Sequence, residues 1–271
     1  MKKYSIIVPI LNEGDNILNL VKGISRSLHK KIKHEIIMID DNSNDSSEII
    51  LNKIANKKKN FNFLIRKEKK DLSKSVILGI EKTKFENLII MDGDLQHDPK
   101  YLLALIKKFE RKKLDVLVAT RNFNKRQGLS ILRFIMSKLL IFFINFIFKK
   151  QTSDPMSGFF LIKKKVFNKS KKKLYGKGYK ILFDIITSCK IKKISDYQIK
   201  FKIRKKKQKQ NEFFCLNESY ISDYLEINLI FFDKFPYIKI LYIRNLRKLF
   251  IINFTSSKIS TFFLNLGIFR Y

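Results

Sequence analysis

Two pairs of carboxylates, each directly after an apolar run of the sequence, are the residues best suited to chemistry. Asp40 and Asp41 follow HEIIMI, and Asp92 and Asp94 follow ENLIIM. Mg²⁺ and Mn²⁺ prefer oxygen ligands, which two carboxylates spaced two residues apart can supply. Gln96 can add an amide oxygen if the chain turns there. A cation held in this way neutralises charge on a diphosphate leaving group, so the spacing predicts metal-assisted chemistry on a phosphate ester.

The motif D-x-D-x-Q-H-D-P at residues 92–99 is far more specific than a lone Asp-x-Asp pair. Its His97 is either a further ligand or a residue that supports the ligands. The structural alternative is an acidic turn that caps the helix beginning near Pro99. Asp40 and Asp41 precede NSND, whose structural alternative is helix capping, and a carboxylate there can also accept hydrogen bonds from a base or ribose.

Five apolar runs alternate with segments of helical periodicity, and this alternation predicts how the acidic residues are positioned. The predicted strands are YSIIVPI, HEIIMIDD, FNFLIR, ENLIIMDGD and LDVLVATRN. The predicted helices between them are ILNLVKGISRSL, NSNDSSEIILNKIANK, DLSKSVILGIEKT and DPKYLLALIKKFERK. The pattern is typical of an α/β fold with a mostly parallel central sheet flanked by helices. Ligands bind beyond the carboxyl ends of such strands, where both acidic pairs lie.

Residues 129–148, within a predicted helix at 129–150, are apolar almost all round, and Ser130, Arg133 and Ser137 fall on one face of that helix. The apolar part is shorter than the roughly 20 residues that a bilayer span needs. The segment therefore predicts an interfacial helix, with a buried core helix as the alternative. Residues 1–215 are interpreted as a catalytic domain and residues 216–271 as a membrane-associating helical tail, in which 249–269 is a marginal span.

The chain has 57 Lys plus Arg against 24 Asp plus Glu, a net charge of +33. Nucleic-acid binding, association with anionic lipid and compositional drift all produce such an excess. Because the basic segments border apolar ones, a membrane surface is the expected partner and nucleic acid is not. Cys189 and Cys215 make no disulfide framework. The N-terminal apolar run stops at Asn12, too early for a signal peptide, and is interpreted as a strand.

Five motifs occur in order and at the right spacing for a known family: SIIVPILNEGDNI, IIMIDDNSNDSSEII, IIMDGDLQHDP, VATRN and SDPMSGFFLI. Together they resemble the family-2 glycosyltransferases of GT-A fold, in particular the polyprenyl-phosphate sugar transferases of the dolichol-phosphate mannosyltransferase type. The resemblance covers roughly residues 4–205. It implies inverting transfer of a hexose from GDP-mannose or a UDP-sugar to dolichyl or undecaprenyl phosphate, at the cytoplasmic face of the cell membrane, with Mg²⁺ or Mn²⁺ as cofactor.

The resemblance also implies roles for single residues. Nucleotide contacts fall on Pro9, Glu13 and Asp41, with Asp40 beside them, and Arg204 lies near the donor diphosphate. The metal and diphosphate positions are Asp92, Asp94 and Gln96. The positions that hold the acceptor phosphate are Arg121, Arg133 and Ser137. The catalytic groups are thus Asp92, Asp94, Arg121 and Arg133.

The sequence departs from the family pattern at three places in the catalytic domain, of which the last lies in the donor-side loop. Leu11 replaces a usual tyrosine, KKDLSKS replaces glycines around Leu72, and KKKQKQ follows Arg204 where Gly and Ser-Lys are expected. Two other functions stay open. One is a family-2 enzyme that acts on a cell-surface glycan, and the other is a decayed transferase that binds membrane or nucleic acid through its lysines.

Overall fold

The computed structural model describes residues 2–28, 32–121, 151–178 and 180–201, together with the backbone of three short strands between residues 238 and 262. The chain forms two compact units, Met1–Lys206 and Lys207–Tyr271. The predicted helix at 129–150, with Arg133 and Ser137, lies outside the described residues, and so does Arg204. Within the part of the chain that is described, no helix is both long and apolar enough to cross a bilayer.

The first unit alternates strands and helices as the apolar runs predict. Its strands are β1 (Lys3–Ile10), β2 (Lys33–Asp40), β3 (Phe61–Ile65), β4 (Asn87–Ile90), β5 (Val116–Arg121), β6 (Phe160–Lys163) and β7 (Ile194–Ile199). Its helices are α1 (Gly14–Leu28), α2 (Ser47–Ala55), α3 (Leu72–Glu81), α4 (Leu102–Arg111), α5 (Lys164–Lys171) and α6 (Ile181–Ser188). A 3₁₀ turn at Pro99–Tyr101 leads into α4.

The seven strands form one sheet in the order β3-β2-β1-β4-β6-β5-β7. All neighbouring pairs are parallel except those of β6, which runs antiparallel to β4 and β5. The predicted α/β fold with a mostly parallel sheet is therefore confirmed. Because β1, β2 and β4 are adjacent and parallel, their carboxyl ends meet at one edge, as the argument from the acidic residues requires.

The sheet is covered on both faces, which explains why its central strands are apolar throughout. Alternate residues of β1 point to opposite faces: Ile6 and Val8 pack into a core with α1, α2 and α4, whereas Ile7 packs into a second core with α3, α5 and α6. Every residue of β1 from Tyr4 to Ile10 is buried. Two packed layers therefore hold the ends of β1 and its neighbours in fixed positions.

The second unit is described only as the backbone of an antiparallel three-stranded sheet, whose strands lie in the reverse of their chain order. The strands are β8 (Ile238–Ile243), β9 (Lys248–Asn253) and β10 (Ser260–Phe262). This differs from the helical tail expected for residues 216–271. The physical reason lies in the composition of these stretches, because IKILYI and KLFIIN are rich in isoleucine and aromatic residues that favour strands.

Candidate active site

A cavity of about 380 Å³ opens at the carboxyl edge of the sheet. The carboxyl end of β1 and the chain segments that follow β1, β2 and β4 line it, and they contribute Pro9, Glu13, Asp41, Asp92 and Asp94. Five predicted site residues are thus brought together around one cavity. The rest of the lining includes residues at the start of α3, at the start of α6 and at positions 155–158.

The backbone turns sharply inside the D-x-D-x-Q motif. Leu95 has a φ of 60°, in the left-handed region of backbone conformation that residues other than glycine and asparagine rarely adopt. The backbone N–H of Gln96 donates to Asp94 Oδ1 at 3.0 Å, which closes the turn. The chain therefore does turn next to Gln96, as the prediction of a metal ligand at Gln96 requires. Gln96 is nevertheless not part of the cavity wall.

The backbone of Gly158 lies directly against the Asp92 carboxylate. A methyl group built on Gly158 would lie 2.1 Å from Asp92 Oδ2 and 2.5 Å from Asp92 Cγ, far inside van der Waals contact. Only glycine leaves room for the carboxylate in its present position. Gly158 belongs to the SDPMSGFFLI motif, but no feature of the sequence assigned it this task.

His97 lies behind Asp92 and is almost fully buried, with its ring between Phe159 and Phe201 at centroid distances of 5.4 and 5.1 Å. Its Nδ1 is 3.3 Å from Asp92 Oδ2, but among the described residues this nitrogen makes no hydrogen bond. The arrangement favours the interpretation of His97 as a support for the ligands, since the ring is packed away from solvent.

The donor set fits a divalent cation that is completed by substrate. Asp92 and Asp94 line the cavity, but the described part of the chain holds no group of three His, Cys, Asp or Glu residues that could hold a metal ion. Mg²⁺ and related ions are commonly bound by one or two carboxylates plus phosphate oxygens and water. The space kept by Gly158 beside Asp92 is consistent with that arrangement.

The two carboxylates after β2 have different environments. Asp41 accepts from Arg66 Nε at 2.7 Å and from the backbone N–H of Asp71 at 2.5 Å, and it borders the cavity. Asp40 is buried and accepts from the backbone N–H and hydroxyl of Ser43 at 3.1 and 2.5 Å. Burial raises the pKa of Asp40 above its ordinary value, although the bonds from Ser43 oppose this. Asp40 is not part of the cavity wall, because successive residues of a strand point to opposite sides.

Arg121 ends β5 and forms a two-pronged ion pair with Asp154. Its Nε and a terminal nitrogen donate to the two oxygens of Asp154 at 2.8 and 2.9 Å, and Asp154 is fully buried. Burial alone lowers the pKa of a guanidinium, but the bonds and charge of Asp154, together with the charge of Asp92, raise the pKa of Arg121. Arg121 is not part of the cavity wall.

The loop that carries Asp154 is fixed by β7. Asp196 accepts from the Thr152 hydroxyl at 2.5 Å and from the backbone N–H and hydroxyl of Ser153 at 2.8 and 2.6 Å. The next residues of this loop reach Gly158 beside Asp92. The ion pair of Arg121 and the wall around Asp92 are thus supported by the same rigid segment.

Two lysines of the cavity wall, Lys70 and Lys180, were not singled out by the sequence analysis. They stand in KKDLSKS and in GYK, within a chain so rich in lysine that composition gave no signal. Their positions before α3 and α6 place positive charge in the cavity that also holds Asp92 and Asp94. A site with both signs of charge suits a complex of a metal ion with a phosphate ester.

The sequence matches the family model of Glycosyl transferase family 2 over residues 5–170. A dolichol-phosphate mannosyltransferase of Pyrococcus furiosus is 29% identical over 206 residues, which cover 74% of this chain and 57% of that protein. A dolichol-phosphate mannosyltransferase of Mycosarcoma maydis is 30% identical over 190 residues, which cover 67% of this chain and 64% of that protein. The chain thus matches less than two thirds of the length of both relatives.

The fold is similar to that of a glucosyl-3-phosphoglycerate synthase from Mycobacterium tuberculosis crystallised with Mn²⁺, UDP-glucose and glycerol 3-phosphate. The TM-score is 0.60 at 14% identity, and the match covers 85% of this chain and 79% of that chain. A crystal of the same synthase with Mg²⁺ and uridine diphosphate gives a TM-score of 0.58 at 14% identity, over 83% of this chain and 79% of that chain. At this identity the likeness shows the fold alone, and it confirms the GT-A expectation.

The sheet with its acidic carboxyl edge defines a protein of GT-A fold. The match over residues 5–170 then shows that the chain belongs to Glycosyl transferase family 2, with dolichol-phosphate mannosyltransferases among its relatives.

Proposed function

We propose that the protein transfers a hexose, with inversion, from a nucleotide-sugar to a polyprenyl phosphate. The donor is GDP-mannose or a UDP-sugar, and the acceptor is dolichyl or undecaprenyl phosphate. The observation that carries the proposal is the cavity wall that joins Asp92 and Asp94 to Lys70 and Lys180. The named relatives support the lipid acceptor.

In this proposal Asp92 and Asp94 hold Mg²⁺ or Mn²⁺, which supplies charge neutralisation to the diphosphate when bound. Lys70 and Lys180 add positive charge, and Pro9, Glu13 and Asp41 border the nucleotide. A lipid phosphate is largely ionised at neutral pH, since the second pKa of a phosphate ester is about 6. It needs cations that bring it next to an anionic donor more than it needs a general base.

Arg121 is the described residue proposed for the acceptor phosphate. Its guanidinium is oriented by Asp154, and arginine binds phosphate through a planar fork of donors. Arg133 and Ser137 remain proposed partners for the same phosphate. A chain with a net charge of +33 also suits anionic lipid, at about 1 kcal/mol for each lysine near the membrane surface. The cytoplasmic face of the membrane is its proposed location, and the excess of positive charge supports this proposal.

The direct test is transfer of labelled sugar to polyprenyl phosphate in detergent, with Mn²⁺ and either GDP-mannose or UDP-glucose. Thermal shift with the same donors identifies the nucleotide, because a ligand that binds only the folded state raises the melting temperature. Transfer to soluble glycans without transfer to the lipid would favour the cell-surface glycan alternative. Salt-sensitive RNA binding without any metal-dependent nucleotide binding would favour the decayed basic protein.

Replacing Arg121 with lysine should lower kcat/KM for the lipid phosphate about a hundredfold, because lysine cannot reproduce the two-pronged pairing with Asp154 and present a fork to phosphate. Binding of the nucleotide with Mn²⁺, measured by calorimetry, should change little. Arg111→Lys, on the exposed end of α4, is the matched control and should behave like wild type. An unchanged kcat/KM in Arg121→Lys would remove Arg121 from the acceptor site.

A further inference from the structure

Asp71 connects two parts of the chain that both contribute to the cavity wall. One carboxylate oxygen accepts from the backbone N–H of Lys74 at 3.0 Å and so caps α3. The other accepts from the backbone N–H of Gly178 at 2.9 Å. The carbonyl of Gly178 in turn accepts from the backbone N–H of Ser73 at 2.9 Å. The loop before α6 is therefore bonded to the N-terminus of α3 by a reciprocal pair.

The backbone of Asp71 is hydrogen-bonded to a buried ion pair. Its backbone N–H donates to Asp41 Oδ2 at 2.5 Å, while Arg66 Nε donates to Asp41 Oδ1 at 2.7 Å. The side chains of Arg66 and Asp41 are only 4% and 6% exposed. A buried ion pair with satisfied hydrogen bonds is costly to disrupt, so the position of Asp71 is fixed by the ends of β2 and β3.

The loop before α6 is also hydrogen-bonded to α6 itself, and two of its glycines have positive φ values. The backbone N–H of Gly176 donates to Asp184 Oδ2 at 2.8 Å. Gly176 and Gly178 have φ values of 68° and 79°, which glycine adopts without strain. Lys180 follows two residues after Gly178 and borders the cavity. The hydrogen bonds of the loop therefore set where this lysine enters the wall.

We propose that Asp71 is a positioning residue for donor binding, which acts by holding Lys180 in the cavity through its bond to Gly178. The inference rests on the proposed function, because Lys180 matters only if the cavity binds a phosphorylated donor. It assigns a role to KKDLSKS, the segment in which the sequence departs from the glycines of the family pattern. Asp71 itself does not reach the cavity wall.

Asp71→Asn tests this role with little change of shape. Asparagine is as good a helix cap as aspartate, but its single carbonyl oxygen cannot serve both Lys74 and Gly178. The dissociation constant of UDP or GDP with Mn²⁺, measured by calorimetry, should rise about tenfold, which corresponds to loss of roughly one charge-assisted contact. The kcat at saturating donor should change less than KM. Asp115→Asn breaks an ion pair with Lys163 and should leave nucleotide affinity unchanged.

A double-mutant cycle shows whether Asp71 acts through Lys180. Lys180→Gln should weaken binding at least as much as Asp71→Asn, and the double variant should be no weaker than Lys180→Gln alone. Gly178→Ala strains the loop at a φ of 79° without touching the cap, and it should reproduce the loss if Asp71→Asn folds poorly.

Additive losses in the cycle, or wild-type affinity in both Asp71→Asn and Gly178→Ala, would overturn the positioning role while the proposed function stands. A wild-type protein that binds neither UDP nor GDP with Mn²⁺ would instead overturn the proposed function, and this inference with it.

Discussion

Replacing Asp94 with alanine should lower the rate of sugar transfer about a thousandfold, since metal stabilisation of a leaving diphosphate is worth several kcal/mol and each 1.36 kcal/mol is tenfold in rate. Asp94 is one of two carboxylates that border the cavity at the end of β4. Its loss leaves Asp92 as the single carboxylate of the motif that can bind the cation. The measurement is initial rate at saturating donor and lipid phosphate across a Mn²⁺ titration.

The fold of the Asp94→Ala variant should be preserved, because the bond from the Gln96 N–H to Asp94 Oδ1, at 3.0 Å, closes a turn between two residues that lie outside both apolar cores. Asp94→Asn is the control for that bond: it keeps an oxygen that accepts from Gln96 and removes the charge. Both variants should lose Mn²⁺-dependent nucleotide binding in calorimetry. Undiminished transfer in Asp94→Ala would remove this residue from the metal site.

Much of the fold follows from the sequence, because a central parallel sheet is built from short apolar runs that local composition reveals. The strands β1, β2 and β4 end next to the carboxylates that the sequence analysis selected, and parallel pairing brings these ends together. The pattern failed in the second unit, where apolar stretches expected to be helical are extended in β8 and β9. Periodicity alone does not distinguish a short apolar helix from a strand.

The site was predicted less completely than the fold. Asp41 and Asp92 were selected because carboxylates after a strand are a local signal. Lys70 and Lys180 were not predicted as site residues. They share one cavity only because segments about 110 residues apart in the chain are in contact, for example through the hydrogen bond from the Gly178 N–H to Asp71. Asp40 was predicted to be a site residue on the same local signal as Asp41, but only Asp41 borders the cavity.

Replacing Gly158 with alanine should impair the metal site without removing any ligand. The added methyl group would lie 2.1 Å from Asp92 Oδ2, so the carboxylate has to leave its position. A misplacement of about 1 Å can cost about a hundredfold in rate. We expect a loss of this size in transfer, together with a weaker Mn²⁺ dependence of nucleotide binding measured by calorimetry.

Gly79→Ala is the matched control, because its methyl group would meet Ile7 Cγ2 at 2.5 Å inside the apolar core. It should lower the melting temperature through overpacking, which typically costs 1–3 kcal/mol, and the folded protein should keep its Mn²⁺ dependence. Gly158→Ala should instead keep the melting temperature and weaken the Mn²⁺ dependence. Equal loss of stability in both variants, with normal Mn²⁺ dependence in both, would contradict the role of Gly158.

The effect of Gly158→Ala on the metal site should also disappear once Asp92 is replaced by a residue without a carboxylate. In an Asp92→Ala background the further change Gly158→Ala should lower transfer and Mn²⁺-dependent binding by less than twofold, whereas independent effects would multiply. Such a result would mean that the SDPMSGFFLI motif acts on the metal site through the space that Gly158 leaves beside Asp92. The motif on β4 and the loop before β6 then form one functional unit, because the position of a ligand depends on the absence of a side chain 66 residues further along the chain.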